Sequence, residues 1–445
     1  MSHREAISDP QNDDRGAAEG QSESHSLRVF LFLVVQFVGV VFLQKIAIPG
    51  INAGPSLTFL LLWAGLPWLL SCAEIDVTRA VLYVGLVVAA FVSQFLVGGD
   101  FSVGSFLLVC AAYAPFVIFI PVSLALYRRC LNAFQTMMVI AGLLTIIQNL
   151  WQVLAGWHTF PDMEKLLPEP LLMQGYAYIQ PLFYGSPYIK PNAFFFLEVS
   201  ILSQFTACAL IIELVWFQRF WHILLYLLTL FSCFAGTGLL IIALVAPLLA
   251  LHLSRRLVLI GIVPGFAALL AAFSFGWYDQ IERRFSEFDQ HSSSGYMRFI
   301  EPANELFKFL NDSSSLYTGI GAGAAPKDPG VVWWPITKLV AEYGLPTALF
   351  FYLLISIALF KNAPSRRVAA TLLIMFSLMG SNLLAIPIVN LCLLLGTLLR
   401  PVDRTKAVAQ PTVLNLIPHR MELANISPSP LAAGAAAPGR APNVS

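Results

Sequence analysis

The chain has 445 residues, 58% of them hydrophobic and only 11% charged, with 34 phenylalanines and a formal net charge of +1. A soluble globular protein carries about 25% charged residues, so this composition excludes an ordinary soluble domain and predicts an all-α polytopic membrane protein. The balanced charge, with no Lys/Arg-rich block, excludes a nucleic-acid partner.

Residues 1–26, "MSHREAISDPQNDDRGAAEGQSESHS", are polar and acidic, lack apolar periodicity and lack the basic start of a secretory signal. They predict a disordered tail. Apolar runs follow near 27–48, 56–72, 79–97, 104–126, 133–155, 192–216, 221–235, 237–253, 257–276, 335–360, 367–380 and 384–399. A crossing takes about 20 apolar residues, so the runs predict about 12 transmembrane helices within a domain spanning 27–400. The stretch 221–253 is too long for one crossing and short for two, and Gly236, Thr237 and Gly238 at its middle predict a tight turn. Gly380, Ser381 and Asn382 break 367–399 in the same way. Residues 401–445, rich in Ala, Pro and Ser, predict a second disordered tail.

Cytoplasmic loops carry the excess of Lys and Arg. With both termini in the cytoplasm and both long runs split, Arg79, Arg128, Arg129, Arg219, Arg255, Arg256, Lys361, Arg366, Arg367, Arg400 and Arg404 all fall inside. A single span over 221–253 would put Arg366 and Arg367 outside. Two connections, 156–191 and 277–334, then become extracytoplasmic loops, the larger one partly helical. Neither contains a cysteine, and the six cysteines lie in spans or at cytoplasmic ends, so no disulfide framework is indicated. The seven histidines form no cluster, and neither a metal nor a cofactor is expected.

The larger loop holds Arg283, Arg284 and Arg298 on the side where positive charge is disfavoured. Either a loop of this length simply solvates them, or they form an anion site, because the guanidinium fork suits phosphate. Ser292, Ser293 and Ser294 can cap a helix. Tyr296, Phe299, Ile300, Ala303, Phe307 and Leu310 then recur at helical spacing, with Pro302 interrupting the helix or starting a second one. This stripe would face the bundle or the membrane surface. Gly319, Gly321 and Gly323 do not make a dinucleotide fingerprint, since no helix opens from them. They provide either a tight, closely packed turn or an anion-binding nest of N–H groups. Trp333 and Trp334 stand where the chain re-enters the membrane, as an aromatic belt or as a surface for stacking a sugar. Lys338 and Glu342 share a helix face, as a mutual pair or with Glu342 as a general base. In the smaller loop Lys190 precedes a span in which Glu198 lies near the outer end and Glu213 near the inner end, where it can snorkel.

With these residues in view, the chain resembles the O-antigen ligase and polymerase superfamily of bacterial membrane glycosyltransferases. "YIKPNAFFFLEVSILSQF" is similar to that family's R-x-x-G-x-F-x-E-P-S segment, and "FSCFAGTGLLIIAL" to its broken helix pair. "IERRFSEF", "SSGYMRFIEPANELFKFL", "GIGAG" and "KLVAEYGL" follow the family's order of R-x-x-S, S-G-x-x-R, G-x-G and a span with E-x-G. The likeness covers roughly 185–350.

The resemblance implies a metal-independent enzyme of the bacterial inner membrane. A hydroxyl of one glycan attacks the anomeric carbon of another that is linked to undecaprenyl pyrophosphate. It casts Arg298, Arg283 and Arg284 as holders of the pyrophosphate, with Lys190 in place of a loop arginine and Glu198 or Glu342 as the acid–base group. Gly319, Gly321, Gly323, Trp333 and Trp334 would bind substrate. The ligases carry a His shortly before the E-x-G span, where this chain has "VVWW"; Val199 stands in place of the family's Pro, and Ala235–Gly236–Thr237 where an Arg is common. The expected activity is therefore polymerisation of lipid-linked repeat units, with ligation to lipid A–core or transport of a lipid-linked glycan as alternatives. Expected partners are the lipid-linked donor and acceptor, membrane lipid, and a chain-length regulator with its export complex.

Overall fold

A backbone in lipid must satisfy its polar groups within its own segment, which makes hydropathy and helix formation coincide. The computed structural model describes residues 10–48, 56–98, 101–182, 185–250, 293, 295–312, 315–325, 332–379 and 383–401, and it is mostly helical. In chain order the α-helices are α1 (Pro10–Phe42), α2 (Leu57–Leu69), α3 (Val77–Val97), α4 (Val103–Tyr113), α5 (Leu124–Leu154), α6 (Val199–Ile212), α7 (Phe220–Ser232), α8 (Gly236–Ala250), α9 (Glu301–Asn311), α10 (Pro335–Phe360), α11 (Arg366–Leu378) and α12 (Ile386–Cys392).

The chain is a helical membrane protein, but twelve full crossings are not reached among the described residues. Five helices are long and apolar enough to cross: α1 from Ser24, α3, α5, α6 with its π-helical continuation to Phe217, and α10. Helices α2, α4, α7, α8 and α12 are apolar but shorter, and the run 257–276 lies outside the described residues. Helix α1 also begins at Pro10, inside the segment expected to be disordered. Extending an existing helix costs little per residue once its nucleus is formed, and this stretch contains Ala17, Ala18, Glu19 and Gln21.

The run 221–253 is two helices, as the charge pattern requires. The break falls at Cys233–Ala235, just ahead of the expected glycines, with Phe234 in the left-handed region at φ 49°. Gly236 opens α8. At about 1.5 Å per residue α7 is about 20 Å long, short of the ~30 Å hydrocarbon core, and α8 is described as far as Ala250. Helix α10 is also broken: Gly344 has φ 77° and ψ 171°, separating a short piece, 335–343, from the longer 345–360.

The arginine-rich turns gather at one end. Asp76 caps α3, accepting from the Arg79 N–H (3.2 Å) and from Lys361 Nζ (2.9 Å), with Arg400 at 3.6 Å. The Arg79 guanidinium donates to the Ala358 carbonyl (2.9 Å) and the Thr397 carbonyl (3.1 Å), at the last turns of two helical segments. A cation suits those unsatisfied carbonyls. A small sheet binds the same end, in the order β1 (Glu74–Ile75), β2 (Ile118–Val122), β3 (Leu399–Pro401). Nearby, on the first turns of α5, Asn132 accepts from Arg219, which grips Glu213 through Nε (2.9 Å) and Nη2 (2.8 Å). Glu213 does not snorkel; its side chain is fully buried in this pair. Arg367 donates to the Leu248 carbonyl (3.1 Å), bringing the end of α8 to the same level.

Helix α6 is central: 94% of its apolar window is buried, against 22% for α3. Its first residue therefore emerges at the middle of the opposite, loop-bearing end.

Candidate functional site

Glu198 is the N-cap of α6, and its backbone is extended (φ −141°, ψ 154°). Its carbonyl accepts from the Ile201 and Leu202 N–H groups, which leaves the carboxylate free to reach away from the helix. Oε2 accepts from the Ser200 hydroxyl (3.0 Å) and from Arg298 Nη2 (3.1 Å). Both members of the ion pair remain a little under one-fifth exposed, so the pair sits at the mouth of the bundle. A carboxylate at a helix N-terminus is favoured by the helix dipole. Burial, then the Glu198 charge, pushes the Tyr176 phenol up to about 12, so Tyr176 is neutral beside it.

The tip of the broken pair docks onto the same turn of α6. Thr237 Oγ1 donates to the Ser200 carbonyl (3.2 Å). Ser203 Oγ donates to the Ala235 carbonyl (3.3 Å) and accepts from the Gly238 N–H (3.0 Å). A Cβ on Gly238 would run into the Ser203 carbonyl oxygen, so only glycine allows this approach.

Arg298 is held by its backbone. It lies in a π-helical turn, Tyr296–Ile300, whose start is capped by Ser293 Oγ accepting from the Tyr296 N–H (3.1 Å). Pro302 sits in the first turn of α9, where its missing N–H is harmless. The Trp334 indole donates to the Arg298 carbonyl (2.7 Å), and the Val332 N–H to the Met297 carbonyl (3.0 Å). Trp334 thus positions Arg298. Trp333 is buried against Ala325 and Ala341, with Phe309 packed on the cluster. Trp333 is thus buried, whereas Trp334 is partly exposed.

The N–H groups of the glycine loop are taken up within the protein, mostly by neutral oxygens and in two cases by the Glu342 carboxylate. Gly319 N–H donates to Ser315, Ile320 N–H to the Ala341 carbonyl (2.8 Å) and Gly321 N–H to the Glu342 carbonyl (3.2 Å). Ala322 N–H donates to Gln94 Oε1 (2.6 Å), and the Gly323 and Ala325 N–H groups hydrogen-bond the Glu342 carboxylate. Ala324 N–H returns to Gly321. Every N–H from 319 to 325 is therefore engaged. Gly319, Gly321 and Gly323 all have positive φ, and a Cβ on Gly319 would meet the Glu342 backbone at 2.5 Å. The loop fits into the break at Gly344, where the Leu345 N–H donates to the Leu316 carbonyl (2.8 Å). Glu342, almost fully buried, also faces Lys338 Nζ at 3.7 Å. Its carboxylate ties the loop to the broken helix.

Lys190 is half-buried and its N–H donates to the Gln180 carbonyl (2.8 Å), beside a bridge between Pro181 and Ile189. Arg283 and Arg284 lie outside the described residues. Sequence reasoning missed a fully buried network in the smaller loop. Lys45 Nζ donates to both Asp162 oxygens at 2.8 Å, and Asn192 Nδ2 adds a bond of 2.7 Å to Oδ2. Gln148 joins Asn192 and Gln152 joins Ile189. Burial outweighs Asp162 and lowers the Lys45 pKa. This network folds the segment 156–192 down onto α5 and so sets the path by which the chain reaches Glu198. Only the oddity of Lys45 inside the apolar run 27–48 could have signalled it. Comparison with protein-family models and with curated proteins finds no match.

Together the site offers a guanidinium fork, a carboxylate, and a tight cluster of helix ends around them. A guanidinium so placed can bind an oxyanion.

Proposed function

We propose that the chain is a bacterial inner-membrane glycosyltransferase that polymerises undecaprenyl-pyrophosphate-linked repeat units on the periplasmic side, for an exopolysaccharide or an O-antigen. The observation that carries this reading is the meeting of three separated segments at one turn of α6. Arg298 pairs with Glu198 at 3.1 Å, and the tip of the α7–α8 pair hydrogen-bonds to Ser200 and Ser203. These are the segments on which the sequence resembles the superfamily.

In the reaction, the acceptor hydroxyl oxygen forms a bond to the anomeric carbon of the donor. The bond from that carbon to the pyrophosphate oxygen breaks, and undecaprenyl pyrophosphate leaves with the electron pair. Arg298 turns from Glu198 to the pyrophosphate and stabilises the charge that develops there; one such donor is worth on the order of 3 kcal/mol. Glu198, released from its partner, accepts the hydroxyl proton. Glu198 suits this better than Glu342, whose carboxylate is enclosed by two backbone N–H groups and Lys338. The His associated with ligation has no counterpart in "VVWW", which favours a second lipid-linked unit as acceptor.

The test is deletion of the gene followed by analysis of lipid-linked glycans. Single repeat units on undecaprenyl pyrophosphate should accumulate and long polymer should vanish. Arg298→Ala should reproduce this at normal protein abundance, and Arg298→Lys should restore little, since a point charge does not replace a fork. Full-length polymer that stays on the lipid carrier would mean ligation instead.

A further inference from the structure

Helix α9 divides its surface three ways. Pro302 is buried, and Leu306 and Phe309 pack toward the protein. The outward arc is itself split. On one side lie Phe307 and Leu310, 62% and 39% exposed, with Ile300 (37%) just ahead of the helix. On the other lie Asn304 and Lys308, also exposed, with Asn311 between the two flanks. At 100° per residue, Phe307 and Leu310 stand 60° apart on one flank and Asn304 and Lys308 40° apart on the other. A helix bathed in water has no reason to expose the first flank, and one immersed in lipid could not carry the second.

The level of the helix is set by its contacts. Phe309 packs on the cluster of Trp333 and Ala341, residues flanking the first two turns of α10. The turn leading into α9 is tied to the start of α10 through Trp334–Arg298 and Val332–Met297. Helix α10 is long and apolar enough in total to cross a membrane, and α9 packs at the end where that helix begins.

We propose that α9 is an interfacial helix that docks on the phospholipid surface, with Ile300, Phe307 and Leu310 in the acyl boundary and Asn304 and Lys308 in water. Such a helix rests on its apolar flank at the headgroup boundary. It holds Arg298, three residues before its first turn, at headgroup depth. The inference needs only that the chain is a membrane protein and is independent of the reaction proposed above.

The test uses the full chain in phospholipid nanodiscs, with a spin label on Phe307→Cys, Leu310→Cys, Asn304→Cys or Lys308→Cys in turn. The signal of the unsubstituted labelled chain is subtracted. Collision with oxygen reports lipid and collision with a neutral nickel chelate reports water. The oxygen-to-nickel ratio should be higher at 307 and 310 than at 304 and 308. Leu310→Cys carries the lipid-side reading if Phe307→Cys does not fold. Equal ratios at all four positions overturn the proposal in favour of a solvent-exposed loop. Exclusion of both reagents at 307 and 310 overturns it in favour of a covering protein.

Discussion

Substitution of Glu342 by Gln tests whether the glycine loop is held by an internal anion. The Glu342 carboxylate accepts N–H bonds from Gly323 and Ala325 and faces Lys338 at 3.7 Å, almost wholly out of water. An amide of the same shape keeps one acceptor oxygen, but its NH₂ group must point at either an N–H donor or an ammonium. At least one charge-assisted hydrogen bond is lost, at about 1.5–3 kcal/mol, and Lys338 loses its counter-charge. A total of roughly 2–4 kcal/mol is expected to fall on the 315–325 segment. With each 1.4 kcal/mol worth a factor of ten, amide hydrogen exchange of peptides covering Gly319–Ala325 should accelerate by about 30- to 700-fold. Peptides from α6 and from the Lys45–Asp162 network, which share no partner with Glu342, should be unchanged. Unchanged exchange of the loop in Glu342→Gln would refute the reasoning, because the N–H groups would then be held by something other than the carboxylate.

The α7–α8 tip gives a paired prediction: Gly238→Ala should destabilise by about 1–3 kcal/mol or more through collision with the Ser203 carbonyl. Gly236→Ala, with open space around it, should be close to neutral, and equal thermal stability of the two in detergent would contradict the docking. At the arginine-rich end, burial raises the Asp76 pKa, but bonds from Lys361 and the Arg79 N–H outweigh it and the net pKa falls below 3.8. Its stabilisation is complete above that value and is lost as pH falls from about 3.8 through the lower folded pKa. Asp76→Asn keeps the helix cap, so thermal melts should show less acid sensitivity in the variant; parallel curves would exclude the assignment. Single cysteines at Ser293 and Ser365 should differ in labelling of intact cells by an impermeant reagent, with only Ser293 reacting. Equal labelling would place both loops on one side.

Some features were legible because they depend on neighbours within a turn or two. Membrane residence follows from composition, since apolar side chains and self-satisfied backbone coincide in lipid. The split of 221–253 was legible from charge, because Arg219 and Arg367 cannot share a side otherwise, and Ser293 and Pro302 announced the start of their helical turns as caps do. Even there the break came at Cys233–Ala235 instead of the glycines, because Gly238 is reserved for close packing on Ser203. Helix length was less legible: α7 carries enough hydrophobicity for a span but only 13 residues. What only the tertiary structure decided was pairing over distance. Lys45 meets Asp162 across 117 residues and Arg298 meets Glu198 across 100, and neither spacing has a period that sequence could display. The glycine run illustrates the same limit. Its residue types announce either a tight turn or an anion nest, whereas the partners its N–H groups find, including the Glu342 carboxylate, depend on how the loop folds into the break at Gly344. Local chemistry is written in the chain; which groups share a buried site is settled by the path of the backbone, because a charge in lipid is tolerated only where the fold delivers its partner.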